Sequence, residues 1–107
     1  EQVAGLFYKN GFIEPIPLHY VYVGTVEGYM EKFGVAGINI EENGFSVGDT
    51  IAFELAVEFV EQQIESLQKD NENIDVAQVG TRVGIRTPFT KQQLRDGTRV
   101  YRVAISA

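Results

Sequence analysis

The sequence predicts a small all-β domain, a closed or nearly closed antiparallel barrel. Eleven glycines fall at intervals between short apolar runs, which is typical of many short strands joined by turns. Several runs alternate, for example with Ala36, Ile38 and Ile40 on one face of a strand. The 107 residues are 44% hydrophobic and 22% charged, a composition that fits one folded domain.

The composition also excludes several classes of protein. The chain has no cysteine, so disulfides and thiolate metal sites are impossible, and we expect a cytoplasmic protein. No apolar run approaches the roughly 20 residues of a membrane helix, and no signal peptide is visible. Phosphate-binding and dinucleotide motifs are missing. We therefore expect no membrane insertion, no cofactor and no bound GTP.

Residues 1–20 are predicted to form an N-terminal extension, a hairpin or arm, outside a barrel domain of residues 21–107. The Asn-Gly pair at positions 10 and 11 is typical of a tight hairpin turn. Pro15 and Pro17 then interrupt regular pairing, because proline has no N–H to donate.

The stretch from residue 51 to 69 fits two structures. Apolar and polar residues alternate from Ile51 to Phe59, which predicts a strand. A helical spacing fits as well, and periodicity alone favours that helix over about 51–69, which would make an α+β fold. The apolar residues with helical spacing are Phe53, Val57, Val60, Ile64 and Leu67.

One core is expected to collect the inward residues of all strands. In the last strand we place Tyr101, Val103 and Ile105 on one face. The predicted core residues are Ile38, Ile51, Phe53, Ile64, Val83, Ile85 and Val103.

Charge is unevenly distributed along the chain. Residues 1–80 carry 14 acidic and three basic side chains, and residues 81–107 carry six basic and one acidic. The basic strands can lie beside acidic ones and cancel their field, or they can form a face for RNA or an acidic partner. The candidate contacts are Arg82, Arg86, Lys91, Arg95, Arg99 and Arg102.

Aromatic residues concentrate near the N-terminus. Tyr20 and Tyr22 alternate with Val21 and Val23, so one pair is expected to face away from the core. Such residues can pack on their own barrel or form a protein interface, most simply a homodimer. The candidate interface residues are Phe7, Tyr8, Phe12, Tyr20 and Tyr22.

No catalytic or metal-binding arrangement is evident. His19 is the only histidine, lies beside a proline-rich connector, and is assigned a structural or surface role. The acidic residues between 54 and 65 are interpreted as a solvated face rather than as an acid–base pair. We therefore predict that the domain is not an enzyme.

A series of fragments resembles one known barrel. It is similar to the second domain of elongation-factor-type translation GTPases, to small translation-factor-like proteins and to the C-terminal barrel of collagenase-like U32 peptidases. The fragments are Val23-Gly24-Thr25-Val26, Lys32-Phe33-Gly34-Val35-Ala36, Phe45-Ser46-Val47-Gly48-Asp49-Thr50-Ile51, Ile64-Glu65-Ser66-Leu67-Gln68, Ala77-Gln78-Val79-Gly80, Val83-Gly84-Ile85, Gly97 and Val100-Tyr101.

This resemblance implies a six-stranded antiparallel Greek-key-type barrel, with two strands rather than a helix over residues 51–69. The family usually has a glycine-containing turn between its third and fourth strands, where this chain has residues 55–58 without turn chemistry. We expect a non-catalytic binding module that contacts protein and can self-associate. The alternative is an RNA- or ribosome-associated module that uses the basic C-terminal strands.

Overall fold

The computed structural model describes residues 15–104, and these residues form strands and turns without a helix. The all-β class is therefore confirmed. The predicted N-terminal hairpin, with Phe7, Tyr8 and Phe12, lies outside the described residues. The strands are β1 (Tyr20–Met30), β2 (Val35–Ile40), β3 (Phe45–Ser46), β4 (Thr50–Glu54), β5 (Phe59–Gln63), β6 (Leu67–Lys69), β7 (Glu72–Ile74), β8 (Val76–Ala77), β9 (Arg82–Arg86) and β10 (Arg99–Val103).

The stretch from residue 51 to 69 is a β-hairpin, so the helical alternative is wrong. Strands β4 and β5 pair antiparallel from Thr50 opposite Gln63 to Glu54 opposite Phe59. The alternating pattern placed Ile51 and Phe53 in the core, where each is 0% exposed. The residues that suggested a helix are spread over β4, the turn, β5, the segment that leads to β6 and β6 itself.

The sheet has more strands than the predicted six and is not closed by strand pairing among residues 15–104. Eight strands follow the order β5-β4-β10-β1-β2-β9-β6-β7, and β3 and β8 form a separate ribbon. Where β5 ends, the N–H and C=O of Ile64 bind Asp49 O and Gly48 N, each at 2.8 Å. These groups are therefore not available to extend a ladder. A side-chain hydrogen bond joins β5 to β9 instead, because Gln62 Nε2 donates to Arg86 O at 2.8 Å.

The first and last described strands are neighbours in the sheet. Tyr20 lies opposite Val103 in the β1–β10 ladder. Beyond the last pair, Ala104 N–H donates to His19 O at 2.7 Å. The sheet thus brings the start of β1 and the end of β10 side by side.

Strand β1 bends because it pairs with β10 in its first half and with β2 in its second half. The register shifts between Tyr22 and Gly24, and again between Val26 and Tyr29. A Cβ atom at Gly24 would lie 1.8 Å from the carbonyl oxygen of Asn39. Only glycine permits this backbone approach, which occurs beside a register shift where β1 pairs with β10 and β2 at once.

The inner face of the curled sheet holds an aliphatic core. Six of the seven predicted core residues are buried there, and Val103 is the exception. In β10 the core residue is Val100, which pairs with Phe53 and is 0% exposed. The expected inward face of β10, with Tyr101 and Val103, is therefore the outer face. Both faces carry apolar residues, and alternation alone cannot tell which one is inside.

The loop between β9 and β10 packs against the core. Phe89 contacts Phe53 edge to face, with ring centroids 5.9 Å apart, and Leu94 is 1% exposed. Thr90 and Gln93 bind each other's backbone N–H through their side chains, at 3.2 and 2.9 Å. This reciprocal capping box stabilises the single turn that positions Leu94.

Candidate functional site

Four aromatic rings form a layer on the outer face of β1, β10, β4 and β5. We call Tyr20, Tyr22, Phe59 and Tyr101 the aromatic layer. Tyr22 lies opposite Tyr101 in the ladder, and Tyr101 lies opposite Ala52, which the layer covers completely. Neither Tyr101 nor Ala52 belongs to the inner core cluster. The protein therefore has a second, smaller apolar cluster on the outside of its sheet.

Tyr101 is the centre of the aromatic layer. It is 3% exposed, whereas its neighbours are only half-buried. Its ring centroid lies 5.8 Å from Tyr20, 5.7 Å from Tyr22 and 5.9 Å from Phe59. Tyr20 also meets Phe59 edge to face at 5.2 Å. These spacings are those of favourable aromatic pairs.

Each tyrosine of the layer directs its hydroxyl to a glutamate at the periphery. The bonds are Tyr20 to Glu61 Oε2 at 2.5 Å, Tyr22 to Glu41 Oε1 at 3.0 Å and Tyr101 to Glu54 Oε1 at 2.7 Å. Hydrogen bonds to carboxylates are stronger than those between neutral groups. The three bonds therefore fix the rings in position and place three negative charges around them.

The surroundings of two tyrosines favour their neutral form. Burial, followed by the hydrogen bond to Glu54, raises the pKa of Tyr101 to about 12. Burial and the hydrogen bond to Glu41 raise the pKa of Tyr22 as well. Both hydroxyls therefore remain donors to their carboxylates throughout the neutral pH range.

A groove of about 360 Å³ runs along this layer. We call it the tyrosine groove, and it is lined by Ile16, Tyr20, Tyr22, Arg99 and Tyr101. Tyr101 forms its floor, and the half-exposed Ile16 (50%) lies at its margin. The arrangement offers an apolar surface with one guanidinium beside it, which suits binding rather than proton transfer or nucleophilic attack.

Two of the five predicted interface residues, Tyr20 and Tyr22, belong to the described part of the chain, and both lie in this site. Tyr20 and Tyr22 face outward, as the alternation in β1 indicated, and they line the groove. Sequence reasoning missed Phe59, and it placed Tyr101 on the same face as Val103, which it predicted to be a core residue. The signal for Tyr101 was present, because it alternates with the core residue Val100, but only the pairing of β10 with β1 shows which face it takes.

The six basic residues do not form one stripe. Strands β9 and β10 are separated in the sheet by β1 and β2. Arg82 and Arg86 lie on β9, Lys91 and Arg95 on the loop that follows, and Arg99 and Arg102 on β10. Arg99 belongs to the tyrosine groove. Arg102 lies opposite the core residue Ile51 and is partly buried.

Arg82 also has a structural role. Its Nη2 donates to Glu27 O at 2.8 Å, and the guanidinium lies over two glycines. A Cβ at Gly28 would be 2.6 Å from Nη2, and one at Gly37 would be 3.1 Å from it. The guanidinium thus fills a depression on the outer face of β1 and β2.

His19 lies at the surface, where its ring meets Tyr20 edge to face at 5.0 Å. Within the described range, no group of three or more His, Asp or Glu side chains is placed to hold a metal ion. The same residues contain no helix of the length and apolarity needed to cross a bilayer.

Comparisons with known proteins show the fold. No family model matches the chain, and no curated protein matches it. Solved structures do match, among them two of the C-terminal domain of a protein assigned as a U32 peptidase from Geobacillus thermoleovorans. The selenomethionine form has a TM-score of 0.65 and 24% identity, covering 75% of this chain and 96% of that domain. The other has a TM-score of 0.65 and 21% identity, covering 77% and 91%.

The chain therefore has the fold of that C-terminal domain, and the U32 part of the predicted resemblance is confirmed at the level of fold. Neither structure is an elongation-factor domain, so the translation-factor part stays a prediction. The match covers 96% and 91% of the other domain in the two structures.

Proposed function

We propose that this chain is a non-catalytic accessory domain, which binds another protein through the tyrosine groove. The observation that carries the proposal is an aromatic layer on the outer face of a sheet whose core is already complete on the inner face. Aromatic residues are enriched at protein interfaces, where rigid rings bury area with little loss of side-chain freedom. The fold is found at the C-terminus of a protein assigned as a peptidase, which supports an accessory role.

The available chemistry supports a role without catalysis. The chain has one histidine and no cysteine. His19 contacts Tyr20, and no described residue places a nucleophile beside it. A chain without cysteine also fits a reducing compartment, and we place the domain in the cytoplasm as part of this proposal.

A peptide-library selection on the full chain tests the proposal without a known partner. We expect the selected peptides to shift the amide NMR signals of Tyr22, Arg99 and Tyr101, and to lose affinity for the Tyr22→Ser variant. The control variant is Val79→Ser, because Val79 is exposed (54%) and belongs to another part of the surface. Peptides that bind both variants equally, with shifts away from the groove, would disprove the proposal.

The RNA-associated alternative has less support. A basic face for a polyphosphate needs several Lys and Arg side chains together, and here they lie on separated strands, with Arg82 and Arg102 partly engaged in the fold. We expect no submicromolar, salt-sensitive binding of generic single-stranded RNA at physiological salt. Fluorescence anisotropy measures this, and tight binding would favour the RNA function over the protein-binding one.

A further inference from the structure

We propose that the tyrosine groove accepts an extended, basic segment of a partner protein, with an aliphatic side chain on the rings and Lys or Arg side chains on the surrounding carboxylates. This inference rests on the proposed function and adds the chemistry of the partner. The observations that support it are the charges around the groove, Ile16 at the margin of the groove, and the tyrosine rings that form its floor.

The charge around the groove is predominantly negative. Glu41, Glu54 and Glu61 receive the tyrosine hydroxyls, and Arg99 is the one cation among the groove residues. The single ion pair of residues 15–104 joins Lys69 to Asp70, far along the chain from this site. Among residues 15–104, none of the three glutamates forms an ion pair with a lysine or arginine, and Arg99 instead acts on the hydroxyls of Tyr22 and Tyr101.

Two of these carboxylates keep an oxygen for a ligand. Within the described part of the chain, Glu54 accepts through Oε1 and Glu61 through Oε2, each from one tyrosine. A carboxylate has about four acceptor positions on its two oxygens. A guanidinium or ammonium group can therefore bind Glu54 or Glu61 without displacing the tyrosine hydroxyl.

The chain itself shows what backbone and side chain the groove accommodates. Ile16 lines the groove and stands between Pro15 and Pro17. Proline fixes its own φ and keeps the preceding residue extended. An aliphatic side chain next to a proline thus already lines the groove beside the tyrosines, and half of its surface remains exposed.

The floor of the groove also suits a basic segment. Tyr101 is held by Glu54, so its ring cannot turn away, and Tyr22 is held in the same manner by Glu41. A cation within about 6 Å of an aromatic ring is attracted to its face, most strongly where water is excluded. A lysine or arginine next to the aliphatic residue of the bound segment would contact the face of a tyrosine ring and also a glutamate carboxylate.

A second copy of the chain fits this surface poorly. In a two-fold contact the same patch meets itself, so the interface would hold six glutamates, from Glu41, Glu54 and Glu61 of each copy, and only the two Arg99 side chains of the groove to offset them. Like charges brought together at an interface cost free energy and suppress that pairing. The charge therefore favours a different chain with a basic segment.

Three matched peptides test the inference by NMR titration of the full chain: acetyl-Arg-Leu-Pro-Arg-amide, acetyl-Gln-Leu-Pro-Gln-amide and acetyl-Glu-Leu-Pro-Glu-amide. We expect the basic peptide to shift the amides of Tyr22, Arg99 and Tyr101 and to bind about tenfold more tightly than the acidic one at low salt. Because the contacts are ionic, the difference should shrink at high salt.

Variants of the protein distinguish peptide binding at the groove from attraction of the peptide by the net charge of the protein. Glu54→Gln combined with Glu61→Gln should reduce the affinity of the basic peptide to that of the neutral one. Glu31→Gln combined with Glu72→Gln removes the same charge from exposed positions outside the groove and should leave the preference intact. Equal losses in both double variants would mean that net charge alone attracts the peptide, which overturns the inference.

The outcomes also distinguish this inference from the proposed function. Equal binding of all three peptides in the groove would overturn the basic partner and leave protein binding in place. No shift at the groove with any peptide would overturn the inference, and the library selection then decides the broader proposal. Shifts that depend on protein concentration without peptide would indicate a homodimer and contradict the basic partner.

Discussion

The inner and outer faces of the sheet are built from different chemistry. The inner core is aliphatic, apart from Phe45 and Phe53, and needs no side-chain hydrogen bond. The outer aromatic layer consists of Phe59 and three tyrosines whose hydroxyls donate to glutamates, and of its four rings only Tyr101 is buried. The inner face therefore stabilises the fold, while the outer face keeps the rings of the tyrosine groove in position.

The inner face should therefore be the most sensitive to substitution. Replacing Ile85, which is 1% exposed, by alanine should cost about 2–5 kcal/mol, because apolar contact is lost and a cavity remains. Urea denaturation measures the change, and Val79→Ala, at an exposed position, should stay within about 0.5 kcal/mol. A cost for Ile85→Ala as small as that control would place the core elsewhere.

Alkaline pH should reduce the contribution of the outer aromatic layer to stability and leave that of the inner core unchanged. The pKa of Tyr101 is raised to about 12, above the value near 10 of an unfolded chain. Its contribution is therefore complete below pH 10 and is lost as the pH rises from about 10 to 12. Denaturation curves should show a steeper loss of stability in this interval for the wild type than for Tyr101→Phe. Parallel curves for the two proteins would contradict the raised pKa.

Removal of the Tyr101 hydroxyl at neutral pH should have a moderate effect. Tyr101→Phe keeps the ring and deletes the bond to Glu54, so we expect a loss of about 1 kcal/mol in the free energy of unfolding. The partly exposed Glu54 can take up water instead, which limits the cost. A loss comparable to that of Ile85→Ala would mean that the two faces are equally important for folding.

The smallest effect is expected at the edge of the layer. Tyr22→Phe deletes an exposed bond to Glu41 and should change stability by less than about 0.5 kcal/mol. The same variant should still weaken peptide binding in the groove, because the ring is no longer fixed. Thermal denaturation and the NMR titration, measured on one sample, would show whether stability and binding are separable as the comparison requires.

Much of the fold was predictable from sequence. The alternation of Ile51 and Phe53 identified a strand, and the resemblance correctly favoured two strands over a helix. The turn between them has no sequence signal for a physical reason. Leu55 N–H donates to Glu58 O at 2.9 Å, and neither Ala56 nor Val57 has a positive φ. A turn of this kind needs no glycine, so its residues look ordinary.

The candidate site was only half predictable. Alternation showed that Tyr20 and Tyr22 share a face, because that property is local. Their contact with Phe59 depends on the strand order β5-β4-β10-β1, which joins distant parts of the sequence. The inner or outer assignment of Tyr101 depends on its partner Ala52. Neither fact is encoded in a short pattern.

The pairing of β1 with β10 has a consequence for how such a domain can be carried by a larger protein. His19 and Ala104 lie side by side, because one hydrogen bond of 2.7 Å joins their backbones. A host protein could therefore hold the domain between two adjacent residues of a surface loop. By the same geometry, a circularly permuted gene, opened between Ala56 and Val57 and joined by a short linker near His19 and Ala104, preserves every strand pairing of the sheet.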